Sequence, residues 1–288
     1  YADAAGNIGY HATGRLPIRR NFEGDLPVDG SSGTFDWEGY IPFDELPEFF
    51  NPPSGIIVTA NQNPFPVNYK YSTNGGYSTP YRSNQIRALL SAREGWKPAD
   101  MLAVQTDVYS PFCHFLARQL VAAYDAKLPK DADLAKAAKI LRAWNGQMEI
   151  RESAPLIVSL TYARLKNAIA RAASPHRGDI YNFEMAPSVV QAILETGAKG
   201  WFTDKNETLL KLLTGAIAEG KKAQGGNLAR WDYGRSHSLA IVHPVDSRIP
   251  LFGRFFNIGP FPMSGSSTSV KQVSGALGPS MRFIADPS

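Results

Sequence analysis

The run Ile57-Val-Thr-Ala-Asn61-Gln62-Asn63-Pro64 closes an apolar stretch in a cluster of amides. An amide N–H held rigidly at a strand end can donate to the oxyanion that develops when a carbonyl is attacked. Asn also forms turns at strand ends, so residue type alone leaves both roles open for Asn61. Pro80-Tyr81-Arg82 follows Gly75-Gly76 and precedes a helical pattern, which would aim Arg82 into a cleft or into solvent. His237 and His243 are six residues apart, an even spacing that puts both on one face of an unbroken strand. A metal pair is one reading of them, and hydrogen-bonded structural histidines the other. Cys113 precedes His114 at an apolar helical start, where successive side chains diverge by about 100°. That geometry favours a buried apolar thiol over a Cys–His catalytic pair. Six aromatics, Phe35, Trp37, Tyr40, Phe43, Phe49 and Phe50, either pack the loops or line an apolar binding cleft. A phosphate loop, a dinucleotide glycine fingerprint, a His-Glu-x-x-His and a Gly-x-Ser-x-Gly elbow are all missing, which removes nucleotide and zinc-protease chemistry.

The elements that must position these groups fall into three textures. Residues 1–83 are rich in Pro, Gly, Asn and aromatics, with strand-like runs at Ile8 to Thr13 and Ile56 to Ala60. Residues 84–224 carry helical periodicity, as in Leu134, Ala137, Ala138 and Leu141, and predict six or seven helices. Ser83 is a candidate cap for the first of them, Asp204 to Glu207 has the form of a capping box, and Pro98, Pro111, Pro155 and Pro187 suit first turns. Residues 225–288 return to strands, predicted at Ser238 to His243, Phe255 to Ile258 and Met281 to Ala285, with a long loop from Gly259 to Ser269. Strands, then helices, then strands describe an α+β fold in which a helical excursion interrupts one sheet. The 288 residues carry 30 Lys and Arg against 26 Asp and Glu, and a net charge of +4 is too dilute to argue for nucleic acid. One cysteine excludes an internal disulfide, and no apolar run approaches the ~20 residues of a membrane span. Tyr1 at one end and the alternating Met281, Phe283 and Ala285 at the other suggest a chain cut from a larger protein.

A longer set of pieces carries a resemblance: Asn7-Ile-Gly-Tyr10, Gly14 to Arg19, Leu26-Pro-Val28, Trp37 to Pro47, Asn51-Pro52, Gly55 to Asn61, Tyr81-Arg82, Gln105-Thr-Asp107, Trp144-Asn-Gly146, Trp231 to Pro244 and Phe256 to Pro262. Their order and spacing resemble the middle and later part of the large subunit in the penicillin acylase family of N-terminal-nucleophile hydrolases. The resemblance implies an incomplete share of an αββα fold with a helical insertion, as one discontinuous domain truncated at both ends. It implies hydrolysis of a linear acyl-amide bond through an acyl-enzyme on an N-terminal serine, with that serine's own amine as base. No such serine is in the sequence, so the chain alone is expected to be inactive; a non-catalytic fragment or an aromatic-cleft binding module is the alternative. Within the family pattern Asn61 matches the oxyanion-hole asparagine and Arg82 the arginine that orients it, while Gln62 stands where Asn is usual. No cofactor is implied for the chemistry. A structural calcium is implied for the parent enzyme, with the backbone carbonyl of Gly24 as the matching ligand. Between Asn61 and Arg82, however, the sequence has no Asp or Glu, and Tyr69 to Gly76 offers only Ser72, Thr73 and Asn74 as weaker oxygen ligands. The implied partners are a small subunit, the rest of the large subunit and a small acyl-amide substrate. The implied location is the periplasm or the cell exterior. The resemblance leaves penicillins, cephalosporin side chains, acyl-homoserine lactones and lipopeptides all open as substrates.

Overall fold

The computed structural model describes residues 1–178, 185–244, 253, 255–275 and 277–287. Seven α-helices lie among them: α1 (Tyr81–Ser91), α2 (Met101–Gln105), α3 (Pro111–Lys127), α4 (Ala132–Ala143), α5 (Ser153–Ala173), α6 (Pro187–Glu195) and α7 (Lys205–Gln224). Their starts follow local chemistry. Ser110 accepts a hydrogen bond from the Cys113 amide at 3.1 Å ahead of Pro111, Asp131 accepts from Leu134 at 2.9 Å, and Asp204 accepts from Glu207 at 2.9 Å. The first helix differs from expectation. It starts at Tyr81 after Pro80, and Ser83 lies inside its first turn, where the hydroxyl donates to the Pro80 carbonyl at 3.0 Å.

Helices α3, α5 and α7 pack around one apolar core in which Leu116, Leu120, Leu165, Ile169, Leu209 and Leu213 are fully buried. Burying each such side chain contributes roughly 1.5–3 kcal/mol before entropy is counted, so this block is the most deeply packed of the described residues.

The strands pair only in twos among the described residues. β1 (Gly9–His11) runs antiparallel to β4 (Glu48–Phe50), with Gly9 opposite Phe50. β2 (Pro17–Arg20) pairs with β3 (Asp36–Tyr40), and β5 (Ser238–Ile241) with β6 (Ile258–Pro262). A small cluster of Ala12, Ile41 and Leu46 under Tyr10, Tyr69 and Tyr71 holds the first two ribbons together. Two expected strands are absent, because neither Ile56 to Ala60 nor Met281 to Ala285 has a neighbouring strand to take its backbone donors and acceptors. Phe255 and Phe256 are helical, the strand begins at Ile258, and so the predicted loop from Gly259 is in its first four residues part of β6.

The aromatics from Phe35 to Phe50 do not converge as a packed set or a single cleft. Trp37, Tyr40, Phe43, Phe49 and Phe50 are exposed, and their contacts are separate pairs such as Phe43 stacked on His11 and Trp37 edge-on to Tyr40. Two-stranded ribbons cannot cover both of their faces, which leaves these rings outside.

Candidate active site

Asn61 sits at the end of the extended segment 56–60, whose Val58 and Ala60 are buried. With no strand beside it, the segment is held by its own sequence. The Gln62 side chain folds back so that Oε1 accepts from the Ala60 amide at 2.7 Å and Nε2 donates to the Val58 carbonyl at 3.2 Å. Gln62 therefore spends its polar groups on the backbone. Asn61 itself takes a left-handed conformation, φ 64°, which turns its side chain out of the extended line and which Asn tolerates better than most residues. Its carbonyl accepts from the Ser78 amide at 2.8 Å, tying the amide cluster to the loop that leads into α1.

Arg82 completes the arrangement from the first turn of α1. Its Nη2 donates to the Ala60 carbonyl at 2.7 Å, to Asn61 Oδ1 at 2.9 Å and, more weakly, to Ser78 Oγ at 3.3 Å. A guanidinium has donors only, so the atom facing it must be the amide oxygen. The Asn61 Nδ2 group is thereby turned away, exposed, and has no hydrogen-bond partner among the described residues. Partial burial draws the Arg82 guanidinium below its ordinary pKa, yet it stays charged at any pH of interest. The helix that carries Arg82 is fixed through its neighbour: the Tyr81 ring packs on Phe112 at 5.8 Å and its hydroxyl donates to Gln191 Oε1 at 2.5 Å. Burial pushes that phenol up to about 12, so it remains a donor.

Beside the amides a cavity of about 270 Å³ opens between Tyr10, Phe49, Ile57, Thr59, Gln62 and Arg87. Chemically the ensemble offers one pre-oriented N–H donor, a fixed cation behind it, and room for an apolar group alongside.

The other candidate groups are placed elsewhere. Cys113 is buried, and burial pushes its thiol up to about 11. The adjacent imidazole engages Tyr109 instead, at 2.9 Å from Nδ1 to the phenol oxygen. His237 and His243 lie beyond either end of β5, so no shared strand face joins them. His237 stacks on Tyr233 at 4.5 Å and His243 lies against Phe256, and no cluster of three His, Cys, Asp or Glu suited to a metal occurs among the described residues. Gly24 lies between Glu23 and Asp25, whose carboxylates both accept from Asn74 Nδ2, at 3.0 and 3.2 Å. The Arg19 Nε approaches within 2.8 Å of where a Cβ on Gly24 would stand. Two carboxylates already engaged by an amide donor, next to a guanidinium, fit a calcium ion poorly.

Residues 1–288 match the family model described as penicillin amidase. Among curated proteins, the chain is 26% identical over 283 residues to the penicillin acylase 2 proenzyme of Pseudomonas sp. (strain SE83), covering 93% of this chain and 35% of that protein. It is 26% identical over 326 residues to the acyl-homoserine lactone acylase QuiP of Pseudomonas fluorescens (strain Pf0-1), covering 99% and 38%. The chain thus spans little more than a third of the length of these relatives. Its fold is similar to that of a thermostable penicillin G acylase from Alcaligenes faecalis, with a TM-score of 0.64 at 20% identity over 80% of this chain and 47% of that one.

Proposed function

The chain belongs to the penicillin amidase family, and from that premise we propose that it is the oxyanion-binding part of an enzyme that hydrolyses a linear acyl-amide bond. The observation that supports this most is the bond from Arg82 Nη2 to Asn61 Oδ1, because it presents Nδ2 as a donor with no other task. On this reading an N-terminal serine supplied outside these 288 residues attacks the amide carbonyl. The negative oxygen is received by Asn61 Nδ2, the amine leaves, and water releases the acid from the acyl-enzyme. Asn61 is the catalytic residue here, and Arg82 is a positioning residue that acts through it.

The same reading makes residues 84–224 a helical insertion and joins 1–83 and 225–288 as parts of one αββα domain whose remaining strands lie elsewhere in the protein. The unpaired segment 56–60 is where such a strand would add. The partners are then a small subunit and the rest of the large subunit, and the location is the periplasm or the cell exterior. No cofactor takes part in the reaction, and calcium is given no role in it. No helix among the described residues is long and apolar enough to cross a membrane. A non-catalytic, aromatic-cleft binding module finds no support in rings that are dispersed and exposed.

The test is Asn61→Ala in the intact enzyme. Removing one oxyanion donor lowers kcat by about 10²- to 10³-fold, with KM and the unfolding temperature nearly unchanged. An unchanged kcat overturns the assignment. The isolated chain is expected to leave a chromogenic acyl amide intact.

A further inference from the structure

A second cavity, of about 350 Å³, is walled by residues 270–272 and 277–282 against the end of α2, and the acyl-transfer reading makes no use of it. Two cations line it, Lys271 and Arg282, with Gln105, Gln272 and Ser280 as polar neighbours. Lys271 is held from behind: its backbone amide donates to the Asp107 carbonyl at 2.9 Å and its Nζ to the buried Ser264 Oγ at 2.7 Å. An ammonium has three donors, so two remain after Ser264 is satisfied. The segment bearing Arg282 is pinned in turn by Gln105, whose Nε2 donates to the Phe283 carbonyl at 3.0 Å.

Neither cation is in an ion pair among the described residues. Burial first, and the charge of Arg282 second, draw Lys271 below its ordinary pKa, and the charge of Glu149 opposes them. Two like charges on residues that line one partly enclosed space repel each other, and that repulsion is relieved by an anion between them. A guanidinium and an ammonium with free N–H donors match the oxygens of a carboxylate or phosphate group.

We propose that this cavity binds a small oxyanion, clasped between the Lys271 ammonium and the Arg282 guanidinium. The site is separate from Asn61 and does not depend on the acyl-transfer reading.

Calorimetric titration of the protein with inorganic phosphate, and separately with benzoate, tests it, at pH 7 and with chloride balancing the ionic strength. The expected result is one saturable site for at least one probe, and the stronger probe tells phosphate from carboxylate chemistry. Lys271→Met and Arg282→Gln should each weaken binding by about tenfold or more, a loss of about 1.4 kcal/mol. Lys271→Arg, which keeps the charge, should bind far closer to the parent. Arg282 is exposed, so Arg282→Gln carries the test if Lys271→Met does not fold. Absence of a saturable site for both probes, or equal binding by the parent and a folded Arg282→Gln, overturns the proposal.

Discussion

On the proposed acyl-transfer reading, removing Arg82 should slow the intact enzyme only through Asn61, and the size of the effect follows from the bonds described above. In Arg82→Met the Asn61 amide loses the charged donor that fixes its oxygen, and its two flips become nearly equivalent. A hydrogen bond to a charged group is worth about 1.5–3 kcal/mol, which in population terms is roughly 10- to 150-fold. With the two flips nearly equivalent the productive orientation falls from nearly the whole population to about half, so kcat should fall only about twofold, far less than for Asn61→Ala. The Ala60 carbonyl also loses its 2.7 Å partner, which should lower the unfolding temperature independently of the rate. The two effects separate in a double-mutant cycle measured on the intact enzyme. If Arg82 acts through Asn61, the double variant Asn61→Ala/Arg82→Met has nearly the same kcat as Asn61→Ala alone. If Arg82→Met alone slows the enzyme far more than about twofold, or its loss multiplies with that of Asn61→Ala, Arg82 has its own contact with the reacting atoms and the positioning argument is wrong.

Three further outcomes test the frame around the site. Gly220→Ala would ordinarily strengthen α7, but its Cβ would come within 2.3 Å of the buried Trp231 ring, so overpacking should win and cost about 1–3 kcal/mol by denaturant titration. Cys113, buried and with its thiol raised to about 11, should resist iodoacetamide at pH 8 until the protein is unfolded, and rapid labelling of the native state would contradict its burial. His237 is pulled below its ordinary pKa by burial, so the folded state prefers the neutral ring; its contribution is present above about pH 6.5, the unfolded value, and is lost as pH falls below it. The unfolding temperature should therefore drop between pH 7.5 and 5.5, and His237→Gln should flatten that slope.

Much of this was legible from side-chain pattern, and the gaps have common causes. The helical block announces itself through period, caps and first-turn prolines, because helices satisfy their own hydrogen bonds and need only a buried stripe. Strands need partners, and alternation in Met281 to Ala285 or β-branching in Ile56 to Thr59 says nothing about whether a partner is there. The pair Asn61 and Arg82 could be nominated from type and position, yet three features were beyond sequence reading. One is the left-handed φ at Asn61, another is the fold-back of Gln62 onto the extended segment before it, and the last is the convergence of one guanidinium nitrogen on three oxygens. The double glycine at Gly75-Gly76 and the Pro-Tyr-Arg turn signalled a bend there, without showing what the bend brings together. Positions Lys271 and Arg282 gave no signal at all, since they stand eleven positions apart with no shared periodicity to link them.

The helical block does more than fill space, because it sets the direction from which Arg82 arrives. Tyr81 and Arg82 are adjacent on the first turn of α1, so their side chains leave the axis about 100° apart and can serve two masses at once. Tyr81 enters the helical core against Phe112 and α6, and Arg82 reaches the amide loop. The core that fixes Tyr81 is built on fully buried leucines, whereas the amide loop has only Val58, Ala60 and a few hydrogen bonds. Orientation therefore passes from the stiffer mass to the softer one: the packed helices fix Tyr81, Tyr81 fixes α1, and Arg82 on α1 fixes the amide of Asn61. A donor aimed in this way need not reorganise when charge develops on the substrate, which is the condition under which a single amide N–H is worth several kcal/mol to a reaction.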